Sequence, residues 1–347
     1  MTSAAIQTAW AALAVGTLVD AGIRELVLSP GSRSTPLALA AAATPGLRLR
    51  VVIDERAAGF FALGAARALG RPVAVACTSG TAVAHYAPAV IEAAHAGVPL
   101  VVLSADRPPE LHGAGASQTI DQQRLFGGFV RSFVDVGAPD GSALALRALR
   151  RKLVAAVATA RGPAPGPVHI NVPLRKPLEA AAPTTAADHA AVAEVATLRA
   201  RPVAMAAPPT ARLADAAIAE AAALIAAHPR GVILATAAAP TRAALRGPIA
   251  ALAARAGYPI LAEAGSQLRF APAPTAAVRI DHRSWPPPAP TSRPRWCSSS
   301  AASRWRWRGR ASPAPPRGSC SASSAGPTAT RPPSECWSAT SATRWPG

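Results

Sequence analysis

Cysteine is scarce in this 347-residue chain: there are four, and no two stand at the spacing of a metal-ligand pair or a redox dithiol. Cys77 lies in the apolar run Val73-Ala74-Val75-Ala76-Cys77, where a thiol serves as a small buried hydrophobe. Long hydrophobic runs are missing as well. None reaches the ~18 residues of a membrane span without a polar or charged break, and the first residues lack the basic head of a signal peptide. The expectation is a cytoplasmic protein with no membrane partner. The sharpest absence comes late: beyond Ile280 there is no Leu, Ile, Val, Phe or Met. Such a segment cannot bury enough apolar surface to offset the entropy of ordering it. Disorder is therefore predicted over residues 281–347.

Six of the seven Trp and three of the four Cys fall in that tail, amid Ser, Pro, Arg and Ala. From Arg283 to Gly347 every residue except Glu335 is one whose codons carry C or G at the middle base. In a gene of very high GC content, the third codon position has that bias. Reading it as the middle base produces this composition, so the tail is expected to be out of frame, with the shift near codons 279–284. The alternative is a basic disordered arm whose Arg and Trp contact RNA by charge and stacking. The net charge of +18 would by itself suggest a polyanionic partner. Its distribution weakens that: residues 1–278 hold 25 Lys and Arg against 16 Asp and Glu, while residues 279–347 hold 11 against 2. The folded part thus gives little reason to expect a nucleic-acid partner.

The chain as a whole is half apolar, and what remains beside the tail is long enough for two domains. Strand-like runs over 25–28, 49–53, 72–77, 99–104 and 168–172 alternate with helical patterns over 4–21, 34–43, 56–69, 82–96 and 142–161. Gly70 and Gly97 stand where helix C-caps are wanted. Near-continuous apolar strands imply a parallel sheet covered on both faces, hence an α/β, doubly wound domain over residues 1–178. Residues 179–209, rich in Ala, Pro and Thr, read as a linker. A second α/β unit over 210–280 has helices at 213–227 and 241–256 and strands at 231–236 and 259–262, and its sheet is expected to be incomplete.

The chemistry concentrates at strand ends. Ser29-Pro30-Gly31-Ser32-Arg33-Ser34-Thr35-Pro36 follows the first strand with a turn that opens a helix, offering free backbone N–H groups and a guanidinium to a carboxylate or phosphate. Asp54-Glu55-Arg56 follows the second strand; acids there also suit a plain helix start. Thr78-Ser79-Gly80-Thr81-Ala82 ends the next strand with a glycine that permits close ligand approach, or simply a cap. Ser104-Ala105-Asp106-Arg107-Pro108-Pro109-Glu110-Leu111 places an arginine in a loop stiffened by two prolines; a surface Asp106–Arg107 pair would serve equally well. His85, His95, His112 and His169 have no ligand-like spacing and are read as satisfied or surface histidines. In a doubly wound sheet all these strand ends share the carboxyl edge, where ligands bind.

Together these segments resemble the amino-terminal part of the MenD family, the 2-succinyl-5-enolpyruvyl-6-hydroxy-3-cyclohexene-1-carboxylate synthases of menaquinone biosynthesis. The resemblance runs from about residue 9 to 270. It implies a pyrimidine-binding domain of the thiamin-diphosphate type, followed by the start of a central domain. It also implies catalysis through Glu55, whose counterpart hydrogen-bonds the cofactor's pyrimidine ring. Substrate contacts are implied for Ser32, Arg33, Arg107, Ser117 and Gln118, and cofactor contacts for Gly80 and Thr81. The family more often has Asn where Ser117 stands, so one amide contact is lost. The implied activity is decarboxylation of 2-oxoglutarate and addition of the resulting carbanion to isochorismate. The implied cofactors are thiamin diphosphate and Mg²⁺, and the implied assembly is at least a homodimer. No Gly-Asp-Gly, the family's diphosphate and Mg²⁺ motif, occurs in the chain. The chain is thus expected to hold no metal and to be inactive alone. Two other classes stay open: another thiamin-diphosphate decarboxylase or synthase, similar to acetolactate synthase, and a non-enzymatic module with an RNA-binding arm.

Overall fold

The computed structural model describes residues 3–207, 212–236, 244–266 and 268. The tail expected to be disordered, and the end of the second α/β unit, lie outside the described residues.

The first helix, α1 (Ala4–Asp20), is capped by the Ser3 hydroxyl, which accepts from the Ile6 N–H. Then come β1 (Glu25–Leu28), a 3₁₀ turn at Ser32–Ser34 and α2 (Thr35–Ala43). β2 (Arg48–Val51), α3 (Glu55–Leu69), β3 (Val73–Cys77), a 3₁₀ segment at Gly80–Tyr86 and α4 (Ala87–Ala96) follow. The domain continues through β4 (Leu100–Asp106), β5 (Phe133–Asp135), α5 (Ala143–Arg161) and β6 (Val168–Pro173). All six strands pair in parallel, in the order β2-β1-β3-β4-β6-β5. This is the expected α/β, doubly wound sheet.

Side chains alternate across each strand, and that alternation divides the core in two. Leu26, Leu28, Ala74, Ala76, Val101 and Leu103 face α1, α2 and α5. Val27, Val73, Val75, Cys77, Leu100 and Val102 face α3 and α4. Because both faces are covered, β1, β3, β4 and β6 are buried along their whole length. Gly70 and Gly97 do end their helices in the left-handed region, at φ 62° and 63°.

Two differences from the sequence reading have local causes. Strand β5 is only three residues long and half-buried, too short to leave a readable period. The stretch 179–209, read as a linker, contains α6 (Ala186–Ala200). Its buried stripe is Asp188, Ala191, Val195 and Leu198, so one wall is alanine and one position is charged, a weak pattern to the eye. Thr185 and Asp188 form a reciprocal capping box, and the Ser3 hydroxyl donates to Asp188, tying the start of α6 to the start of α1.

The second α/β piece has α7 (Asp215–Ala226), β7 (Ile233–Ala235), α8 (Arg246–Ala256) and β8 (Ile260–Ala262). Its two strands pair in parallel, and Ile260, Ala262 and Ala253 form a small core of their own.

Candidate active site at the carboxyl edge of the sheet

The chain leaves β1 for β2 on one side and returns to β3 on the other, so the sheet reverses its order between β1 and β3. A crevice opens at such a reversal, outside the carboxyl ends of the strands. The turn after β1 and the turn after β3 meet there: the Arg33 N–H donates to Thr78 Oγ1 at 3.2 Å. Gly31 is needed for this approach, because a Cβ on it would stand 2.4 Å from Thr78 Cβ.

Arg33 is buried, at 5% exposure, and one of its terminal nitrogens donates to the Leu174 carbonyl at 2.7 Å. Its Nε has no hydrogen-bond partner. Burial, and then the nearby positive charge of Arg107, hold its pKa below the usual arginine value, while Asp106 pulls the other way. Arg107 reaches across from the end of β4. Its guanidinium donates to the Ser79 hydroxyl and, at 2.9 Å, to the Ser117 carbonyl. The two arginines share a cleft of about 1300 Å³ whose wall also includes Ser117, Glu110, Arg175 and Lys176. Glu110 is engaged by Arg175 in a two-point pair at 2.6 and 3.0 Å.

Gln118 sits in the left-handed region, at φ 55°, and its side-chain amide donates to the Ser79 carbonyl at 3.1 Å. Gly80, at φ 84°, lies beneath it; a Cβ there would meet Gln118 Cγ at 2.9 Å. Ser117 takes part through its main-chain carbonyl. Ser32 and Thr81 are exposed at the edge of the same turns.

Glu55 is the first residue of α3, just after Asp54, whose carboxylate caps that helix by accepting from the Ala57 N–H at 2.8 Å. Glu55 is half-buried and is not among the residues lining the arginine cleft. Near it in sequence, Val51, Ile53, Phe60 and Phe61 leave apolar surface open to solvent, at 61%, 82%, 44% and 45% exposure. Behind the β1 and β3 ends, the buried Tyr86 hydroxyl donates to the Ala76 carbonyl at 2.9 Å, and desolvation raises its pKa. Burial likewise raises the Cys77 thiol, leaving it protonated and inert.

Sequence reasoning missed the polar group that supports these loops. Asp106 is fully buried at the end of β4; its carboxylate accepts from the Arg107 N–H at 2.7 Å and from Asn171 at 2.9 Å, and burial raises its pKa. His112 Nε2 lies 3.4 Å from the same carboxylate. His169 is buried between Phe126 and Phe133. The Ser104 hydroxyl donates to Asn171 Oδ1 at 3.0 Å, so it must accept from His169 Nε2 at 2.7 Å. That fixes the tautomer and leaves Nδ1 as a buried acceptor with no partner; desolvation lowers the His169 pKa to about 4. The available signal was Asn171 itself, a polar residue inside the apolar run Val168-His169-Ile170-Asn171-Val172. Among the described residues no group of three His, Cys, Asp or Glu is arranged to hold a metal ion, and no helix is long and apolar enough to cross a membrane.

Comparison with known proteins identifies what the domain carrying this edge is similar to. Residues 9–125 match the family described as thiamine pyrophosphate enzyme, N-terminal TPP binding domain. The chain is 48% identical over 267 residues to the 2-succinyl-5-enolpyruvyl-6-hydroxy-3-cyclohexene-1-carboxylate synthase of Sorangium cellulosum, covering 76% of this chain and 43% of that protein. The Geobacillus kaustophilus synthase of the same name is 57% identical over 169 residues, which is 49% of this chain and 29% of that one. In fold, the chain resembles the thiamine diphosphate-dependent 4-hydroxybenzoylformate decarboxylase of Rhodococcus jostii, with a TM-score of 0.56 at 21% identity, over 73% of this chain and 44% of that chain. The resemblance carried by the four strand-end motifs is thus borne out over the amino-terminal part. The chain spans less than half the length of these relatives.

Proposed function

We propose that this chain carries the pyrimidine-binding half of a thiamin-diphosphate-dependent synthase that decarboxylates 2-oxoglutarate and adds the product carbanion to isochorismate. The observation that carries this is the pair Arg33 and Arg107 on one cleft: two guanidiniums close enough for one to depress the other's pKa, with Asp106 as the counter-charge acting on Arg33. Such a pair suits a substrate with two carboxylates, because the planar fork of arginine matches a carboxylate and its charge is retained even when buried.

The residues at the edge fit thiamin diphosphate. Glu55 offers a carboxylate at a helix start beside open apolar surface, and the buried Arg33 Nε offers a donor that no protein group takes. When bound, the cofactor supplies a site that stabilises the carbanion left by decarboxylation. Glu55 would hold a proton against the pyrimidine ring, a task that needs a water-poor setting. Val51, Ile53, Phe60 and Phe61 supply one apolar wall of that setting. A second protein surface, from another copy in a homodimer, would supply the other. Mg²⁺ and the diphosphate would be held outside the described residues. Because the chain has no Gly-Asp-Gly, the motif the resemblance assigns to the diphosphate and Mg²⁺, it is expected to release no CO₂ by itself. The composition of residues 283–347 supports an out-of-frame tail, which resequencing codons 275–290 would test.

Joining residues 1–266 to the carboxy-terminal remainder of the Sorangium cellulosum relative gives the decisive assay. With thiamin diphosphate and Mg²⁺, CO₂ release from 2-oxoglutarate should exceed release from pyruvate. A preference for pyruvate would move the chain to the acetolactate synthase-like class.

A further inference from the structure

We infer that Gln122 is a positioning residue: a buried amide that locks the Gly80 turn to the Arg107 loop and so sets the cleft that reads the acidic substrate. The inference rests on the proposed reading of that cleft.

Gln122 is completely buried, although the loop around it is largely exposed. Its Oε1 accepts from the Gly80 N–H at 2.7 Å, and its Nε2 donates to the Ala105 carbonyl at 3.2 Å and to Asn171 Oδ1 at 3.1 Å. One side chain thus joins the turn after β3, the end of β4 and the end of β6. Each partner connects directly to a substrate-reading group. Gly80 follows Ser79, which holds both the Arg107 guanidinium and the Gln118 amide. Ala105 precedes Asp106, which anchors the Arg107 N–H. Asn171 Nδ2 donates its two N–H groups to the Asp106 and Asp135 carboxylates, at 2.9 and 3.1 Å.

The direction of donation is fixed throughout. Asn171 Oδ1 receives from Ser104 and Gln122, so turning its amide over would set nitrogen against two donors. Gln122 has the same constraint, because its oxygen faces an N–H and its nitrogen faces two oxygens. A buried network satisfied in only one arrangement rigidifies what it touches. The Gly80 N–H is consumed by Gln122, so that turn acts through its shape, while Arg107 and Gln118 do the reading.

The experiment uses the full chain, with nuclear magnetic resonance and isochorismate as the probe. Gln122→Met keeps the length and removes every hydrogen bond. It should leave a cooperative melt, speed exchange of the Gly80 amide proton at least tenfold, and weaken isochorismate binding about tenfold. In an Arg107→Ala background the same Gln122→Met change should cost little further, because Gln122 acts through Arg107. Gln122→Glu supplies the specific rescue. As a carboxylate it opposes the Ala105 and Asn171 oxygens, and when protonated it regains one donor. Gly80 protection and binding in this variant should therefore recover as pH falls from 7 to 5, relative to wild type at each pH. Unchanged Gly80 exchange, or fully additive losses with Arg107→Ala, would overturn the inference. If wild type binds no isochorismate, the cleft reading fails, while exchange at Gly80 and its pH-dependent rescue still decide whether Gln122 clamps the turn.

Discussion

Arg107 earns its place by geometry more than by charge: its fork spans the Ser79 hydroxyl and the Ser117 carbonyl, two loops apart in sequence. Arg107→Ala should weaken binding of a dicarboxylate by roughly 10- to 100-fold, the worth of one or two charge-assisted hydrogen bonds. Arg107→Lys should recover little of it, since an ammonium cannot bridge both loops. Titration calorimetry with isochorismate checks both. His169 carries a pH prediction. Its folded pKa, about 4, lies below the ordinary value near 6.5, so between these pH values the unfolded chain binds the extra proton. Stability from this residue is complete above about pH 6.5 and is lost as pH falls toward 4, a change of roughly 3 kcal/mol at most. His169→Gln should flatten that part of the curve, and urea midpoints at pH 7 and 4.5 for both proteins would show it. An equal slope in the variant would assign the acid sensitivity to another group.

At the scale of elements, two short features govern the edge. Helix α6 depends on its start, where Asp188 accepts from the Ser3 hydroxyl and from the Thr184 and Thr185 N–H groups. These bonds hold its carboxyl well below the usual carboxylate range, so the stability they give persists at neutral pH and falls away only in strong acid. Thr185→Ala should cost about 1 kcal/mol, as losing an N-cap does, and Asp188→Ala more, because it also frees the start of α1. Denaturant midpoints give the order. The turn after β1 depends on close approach. Gly31→Ala must displace Thr78, costing roughly 1–3 kcal/mol by overpacking and weakening isochorismate binding through the shifted Arg33. A variant with wild-type midpoint and affinity would show that the turn yields freely.

At the scale of the molecule, the exposed apolar face matters most. Val51, Ile53, Phe60 and Phe61 lie on edge strand β2, just after it, and on the outer side of α3, whose inner side is Ala58, Gly59, Ala62 and Ala66. Exposed apolar patches of this kind mark association surfaces. Ile53→Glu with Phe60→Glu should lower the sedimenting mass of the chain at micromolar concentration without lowering its melting temperature. Unchanged mass would show that this face does not mediate the proposed self-association.

The sequence alone determined the sheet, because strands buried on both faces must be apolar throughout, and 73–77 and 168–172 are legible on that ground. It also marked Ser32, Arg33, Glu55, Gly80, Thr81 and Arg107, since strand ends in such a sheet converge on one edge and the motifs there are local strings; Ser117 and Gln118, beyond any strand end, were implied only by the family resemblance. Their contacts could not be read that way. Only the tertiary structure decided that Gln122, Asn171 and His169 form one network, that Ser117 acts through its carbonyl, and that a helix stands within 179–209. A buried amide is recognised by the partners that satisfy it, and those partners lie tens of residues away along the chain.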